Sequence, residues 1–233
     1  MLRAGGTGKS AALSMDFRRL NLETCGGAPG IIVVIDVLRA FSTACYAFKR
    51  GAAKIIVTDS VEGAFTLRER FPGSLIMGER GGYPVPGFDF SNSPVEISRC
   101  DLSGATMIQR TSAGTQGLVL CKNASRVLAA SFCNASATAR RLRDAEIVSF
   151  VITGSDEDAA CADLLESRLK GGEPSFQGYA KRVRASQAAH KFLDSTNADF
   201  SSDDLDMCLN LDAVDFSLEL KSWNDLPVLR RGS

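Results

Sequence analysis

Ile31-Ile-Val-Val-Ile35 is an unbroken apolar, β-branched run closed by an aspartate, Asp36. A strand with one wet face alternates apolar and polar residues. A run without a polar member reads as a strand buried on both faces, inside a sheet covered by helices. The chain beyond it keeps to that plan. Leu38, Phe41, Cys45 and Phe48 share one helix face, and Gly51 ends that helix. Lys54–Thr58 reads as the next strand, Val61, Ala64, Leu67 and Phe71 as the inner face of a second helix, and Ser74–Met77 as a third strand ending at Gly78. Further strands are expected at 105–109, 127–130 and 147–152, with helices at 115–121, 135–143 and 156–170. Strand and helix alternating in this way imply right-handed βαβ units. The expected fold is α/β, a three-layer α/β/α arrangement with a mainly parallel central sheet and a C-terminal helical segment. Residues 1–30 read as an N-terminal tail and lead-in, and 31–233 as a single domain. Its part after Gly171-Gly172 reads as mostly helical, with a short mixed ending from Asp215.

Composition bounds the function. At 233 residues, 45% hydrophobic and 23% charged, the chain has the make-up of a soluble globular protein and not of a disordered, collagen-like or mucin-like one. Lys+Arg and Asp+Glu both number 27. That balance argues against a nucleic-acid partner, which calls for a basic excess or stripe. The basic clusters at 140–143 and 181–184 read as wet helix faces. A single histidine, His190, rules out a two-histidine phosphatase mechanism and a His-rich zinc site. Its helix-flank context gives it no role. Seven widely spaced cysteines without a C-x-x-C pattern fit reduced, buried thiols. No signal-peptide core and no apolar run near the roughly 18 residues of a membrane span is seen. The expected setting is the cytoplasm, with no membrane partner. The sequence leaves a homo-oligomer open.

Two motif matches are declined. Gly5-Gly6-Thr7-Gly8-Lys9-Ser10 looks like a phosphate-binding loop, but Arg3 stands where the first glycine belongs and no buried strand precedes it. Asp36 closes its strand as in phospho-aspartate phosphatases, but Leu38 stands where their second aspartate would be.

Four polar segments lie where strands end. Asp36-Val-Leu-Arg39 with Ser42 and Thr43 places an acid, a cation and hydroxyls at a strand-to-helix turn, where free backbone N–H groups attract anions. Glu79, Arg80, Asp89 and Asn92 lie on a Gly- and Pro-rich stretch. They offer hard oxygen ligands and a planar anion fork. Ser93, Pro94 and Glu96 in that stretch read as a capping box. Thr111, Ser112 and Thr115 surround a glycine between strand and helix, a cradle for phosphate or sulfonate or equally a plain helix cap. Asp156, Glu157 and Asp158 could hold a divalent cation or simply suit a helix's first turn. In a doubly wound sheet these strand ends meet at one crevice. Acids for Mg2+, arginines for anionic oxygens and hydroxyl-rich helix starts together describe a Mg2+-assisted enzyme acting on a small anionic phosphoester.

At these residues the chain resembles the 2-phosphosulfolactate phosphatase family. The matching segments are IDVLRAFSTA (35–44), GERGGYPVPGFDFSNSP (78–94), QRTSAGTQG (109–117), SFCNASATA (131–139) and EDAACA (157–162), with a weak match at DDLDMC (203–208). Ala113 stands where many relatives carry Asn, and the chain before residue 31 does not look like the family's opening strand. The resemblance implies Mg2+-dependent hydrolysis of 2-phosphosulfolactate to 3-sulfolactate and phosphate, a step of coenzyme M biosynthesis. It places Asp36, Arg39, Glu79 and Arg80 in catalysis. Asp89, Asn92, Thr111, Ser112, Thr115, Asn134 and Ser136 fall at substrate-binding positions, and the acids Asp36, Glu79, Glu157 and Asp158 are the candidate metal ligands. Cys161 also occupies a motif position; inside a helix, a buried inert thiol is its commoner state. The alternatives are a phosphatase for another small phospho-acid and a non-catalytic anion binder on the same fold.

Overall fold

The computed structural model describes residues 15–232, so the Gly5–Ser10 motif and most of the expected N-terminal tail lie outside the described residues. The strands are β1 (Asp16–Leu20), β2 (Ile31–Ile35), β3 (Lys54–Thr58), β4 (Leu75–Gly78), β5 (Thr106–Arg110), β6 (Val127–Ala130), β7 (Ile147–Ile152), β8 (Ser217–Trp223) and β9 (Leu226–Gly232). The helices are α1 (Ala40–Lys49), α2 (Val61–Arg70), α3 (Pro94–Ser98), α4 (Gly114–Cys121), α5 (Ala135–Leu142), α6 (Asp156–Leu169), α7 (Phe176–Arg184), α8 (Gln187–Leu193) and α9 (Ser202–Cys208). Among the described residues no helix is long and apolar enough to cross a membrane.

All nine strands join one sheet, ordered β1-β7-β2-β6-β8-β9-β3-β5-β4. It is mainly parallel, in two blocks. β1, β7, β2 and β6 run parallel to one another, as do β3, β5 and β4. The β8–β9 hairpin lies between the blocks, antiparallel to β6 on one side and to β3 on the other. Three antiparallel steps therefore reverse the second block relative to the first. Strands in a sheet twist by about 20–25° each, so the five steps from β2 to β5 accumulate roughly 100°. That twist offsets much of the reversal, and the loops after β2, β4 and β5 meet.

Burial explains why the apolar runs are uninterrupted. Ile32 and Val34 enter a core shared with α1, α4 and both parallel blocks. Val33 and Ile35 enter a second core with residues of α5, α6, α7, α8 and α9. Every residue from Ile32 to Ile35 is fully buried, each worth roughly 1.5–3 kcal/mol relative to exposure. A smaller core under α2 covers the other face of the second block.

Two segments differ from the sequence reading. Residues 16–20, read as lead-in, form the edge strand β1 beside β7. Asp16, Arg18 and Arg19 are exposed, and only Phe17 and Leu20 pack against the cores, because an edge strand needs little apolar surface. The C-terminal part is helical only as far as Cys208; the ending is the central hairpin. Leu218 and Leu229 face the shared core, while Glu219 and Lys221 on β8 broke the apolar pattern that marks a buried strand. Asn224 and Asp225, both at positive φ, make its two-residue turn, a conformation these residues tolerate well.

Candidate active site

A small cleft of about 170 Å3 opens where the loops after β2, β4 and β5 come together, lined by Asp36, Leu38, Arg39, Glu79, Gly82, Asn92, Ser112, Ala113 and Lys191. Of the residues expected to act together, Asp36, Arg39, Glu79, Asn92 and Ser112 share this cleft.

Asp36 leaves the end of β2 and is almost wholly buried. Its Oδ1 accepts from the Ala40 N–H at the start of α1, at 3.0 Å. The other oxygen faces Gly114, where a Cβ would lie 2.7 Å from it, so only glycine lets α4 come this close. Burial pushes the Asp36 carboxyl up to about 6; Glu79 and Glu157 add to the rise and the N–H groups of Ala40 and Gly114 oppose it.

Glu79 follows β4 and organises the opposite wall. Its carboxylate accepts from the Ser112 and Gly82 N–H groups and from Ser112 Oγ at 3.0 Å. Ser112 Oγ in turn accepts from the Gly81 N–H at 2.8 Å. Gly78, at φ 145°, would drive a Cβ into the Arg110 carbonyl oxygen, so a side chain there would force the two walls apart.

Arg39 is held from three sides. Nη1 donates to Asp204 at 2.7 Å and Nη2 to the Gly82 carbonyl at 3.2 Å. Its guanidinium also lies 5.1 Å from the Phe192 ring centre and 4.9 Å from that of Phe200. Asn92 is buried, and its Oδ1 has no hydrogen-bond partner among the described residues. An orphaned buried acceptor is costly and calls for a ligand.

Sequence reasoning missed two residues here. Asp204 was visible only within the weakly matching acidic segment 203–208, and nothing local separates it from its exposed neighbours Asp203 and Asp206. Lys191 sits on α8 beside His190 without a motif around it. Tertiary packing alone brings Lys191 to the cleft and Asp204 to Arg39.

The remaining expected residues lie elsewhere. Arg80 is exposed and does not line the cleft. Asp89 accepts from the Ile76 N–H at 2.7 Å and stands 3.7 Å from Arg68, pinning the long loop to β4. Thr111 and Thr115 bond to each other: the Thr111 N–H donates to Thr115 Oγ1 at 2.8 Å and the Thr115 N–H to Thr111 Oγ1 at 3.0 Å. Asn134 closes a capping box with Ser131. Ser136 bonds Asp212 and Arg168. Ser93 caps α3 as its sequence suggests. Ser155 does not cap α6; its hydroxyl donates to Glu157 at 2.8 Å. Asp158 welds β2 to β7, accepting from the N–H groups of Val37 and Gly154, each at 2.7 Å. Burial, then Asp36 and Glu157, raise its carboxyl well above the usual range. Cys161 is fully buried, and burial, with Asp158 next, pushes its thiol well above the ordinary value. That leaves it a thiol and a poor nucleophile.

Among the described residues no three His, Cys, Asp or Glu side chains gather closely enough to enclose a metal ion. Mg2+ does not require such a cage. It is commonly held by one or two carboxylates, the rest of its shell being water and substrate phosphate. Asp36 and Asn92 both line one cleft and carry hard oxygens, that of Asn92 being unpartnered, and so fit that pattern.

A polar cleft at strand ends, offering cations, acids and backbone donors, defines an α/β protein equipped for a small anionic ligand. The family model described as "2-phosphosulpholactate phosphatase" matches residues 20–222. A Bacillus subtilis protein named "Probable 2-phosphosulfolactate phosphatase" is 30% identical over 208 residues, covering 86% of this chain and 91% of its own. A protein of the same name from Clostridium perfringens strain 13 is 34% identical over 213 residues, covering 82% and 86%. Another from Deinococcus radiodurans is 39% identical over 149 residues, covering 63% and 62%. The chain belongs to the 2-phosphosulfolactate phosphatase family and is a phosphatase, a phosphoric monoester hydrolase.

Proposed function

We propose that the chain hydrolyses 2-phosphosulfolactate to 3-sulfolactate and phosphate with Mg2+, a reaction of the coenzyme M biosynthetic type, in the cytoplasm. The family match over residues 20–222 carries this reading. The cleft supports it, because its size suits a three-carbon acid and Asp36 lines it. Asp36 and Asn92 Oδ1 would hold the ion. When bound, Mg2+ would neutralise phosphoryl oxygens and favour attack by water.

The chain's own residues do the positioning. Asp36 orients the water from the end of the buried strand β2. Glu79 fixes Ser112, Gly82 and hence the far wall. Arg39 braces the side next to Gly82. The water oxygen bonds to phosphorus as the bond to the C2 oxygen breaks. The electron pair leaves on that oxygen, which takes up a proton in exchange for the one that the attacking water gives up, and phosphate departs.

The test is phosphate release from 2-phosphosulfolactate with Mg2+ and then with EDTA, beside phospholactate. Release that needs Mg2+ and favours the sulfonate is the expected result. Equal release from both would point to a broader phospho-acid substrate. Binding without release from either would point to an anion-binding role.

A further inference from the structure

The cations expected to meet the substrate are already engaged. Both terminal nitrogens of Arg39 are occupied, by Asp204 and by the Gly82 carbonyl. Arg80 faces solvent. Arg110 donates to the Glu79 carbonyl at 2.6 Å. A substrate carrying a phosphoryl group and a second acidic group still needs a cation inside the cleft, since an unpaired anion there would lose its hydration without replacement.

Lys191 supplies one. It lines the cleft from α8, not from a strand end. Its Nζ lies 4.5 Å from the Phe200 ring centre and 5.6 Å from that of Phe192, which steady the ammonium by cation–π attraction. The same nitrogen stands 3.2 Å from where a Cβ on Gly82 would be, so the ammonium sits close against the Gly82 backbone. Among the described residues Nζ makes no hydrogen bond and no ion pair. Burial and the nearby Arg39 hold its pKa below the ordinary lysine value, opposed by Glu79, Asp36 and Glu157. A half-buried, unpaired ammonium facing a polar cleft is the arrangement of a cation that awaits an anion.

We propose that Lys191 is a specificity-determining residue whose ammonium binds an oxyanion of the substrate's non-transferred acid group, carboxylate or sulfonate, while the phosphoryl group lies over Asp36. The inference rests on the phosphatase reading for the identity of the substrate. Lys191 comes from the helical cover while Asp36 ends a strand, so one molecule spanning them is gripped at two separated points.

The test compares wild type, Lys191→Met and Lys191→Arg. KM and kcat are read for 2-phosphosulfolactate and phospholactate, and affinity for 3-sulfolactate and lactate by calorimetry. Lys191→Met should raise KM and weaken 3-sulfolactate by about tenfold or more, the scale of one charge-assisted hydrogen bond. kcat should stay within about threefold, the mark of binding shared by ground and transition states. Lys191→Arg should restore most of the affinity. An effect confined to the sulfonated compounds assigns the sulfonate; an effect on both acids assigns the carboxylate. Unchanged KM and affinity, or a loss of kcat alone, overturns the proposal. If wild type releases no phosphate from either ester, the substrate reading fails by itself. Calorimetry still decides the lysine, and a wild type that binds neither acid overturns the proposal too.

Discussion

Arg39 and Asp204 meet at 2.7 Å with both side chains only 3% exposed. The other Asp204 oxygen accepts from Ser93 Oγ at 2.7 Å and from the Val95 N–H at 3.0 Å. One carboxylate thus ties the turn after β2, the start of α3 and helix α9. Replacing Asp204 with Ala leaves a buried guanidinium without its counter-charge, a change that typically costs about 3–5 kcal/mol. Urea denaturation should show a loss of that order, and turnover should fall as Arg39 releases the cleft wall. Asp204→Asn, which keeps the shape and one of the two acceptor oxygens but sets an NH2 against a donor in place of the other, should fall between wild type and Asp204→Ala.

Gly114 controls how close α4 comes to Asp36. A methyl group there would meet Asp36 Oδ2 at 2.7 Å and the Ala40 Cβ at 2.8 Å. Gly114→Ala should depress kcat by about tenfold or more, the effect expected when a reacting group is displaced by a fraction of an ångström to an ångström. Overpacking of this kind also costs about 1–3 kcal/mol, so thermal unfolding should register it. A variant with full kcat would show that the position of Asp36 is not limiting.

How much of this was legible depended on whether a residue's signal is local. β2 and the helix after it announce themselves, because a doubly buried strand and an apolar helix face leave marks within ten residues of chain. Asp36 followed from them, as the polar residue closing an apolar run. The hairpin did not, because Glu219 and Lys221 share β8 with Leu218 and Leu220. Its turn residues, Asn224 and Asp225, were the readable clue. Asp204 and Lys191 act on the cleft across more than a hundred residues, and no pattern around either predicts which way it faces.

Thr111 and Thr115 look like substrate ligands in sequence but spend their hydroxyls on each other's backbone. Thr115→Val, which leaves the buried Thr111 N–H without its acceptor, should therefore lower stability by about 1–3 kcal/mol. KM should not change. A rise in KM without loss of stability would return these hydroxyls to the substrate.

Glu219 gives the fold a predictable response to acid. Its carboxylate lies 4% exposed in the central hairpin, 2.6 Å from Arg141 and 2.8 Å from Lys221. Burial raises its pKa, but Lys221 and Arg141 outweigh that and hold it below the ordinary 4.5. A carboxyl whose pKa is depressed on folding adds stability above its unfolded value, and that stability is lost as pH falls through the folded one. Glu219→Gln should thus be less stable than wild type at neutral pH, by about 2 kcal/mol for charge-assisted bonds made neutral. Below pH 4.5 the difference should shrink as wild-type Glu219 takes up its proton. Denaturation midpoints for both proteins between pH 7 and pH 3 would check this. A gap that stays constant across that range would mean that the titrating charge of Glu219 is not what stabilises the hairpin.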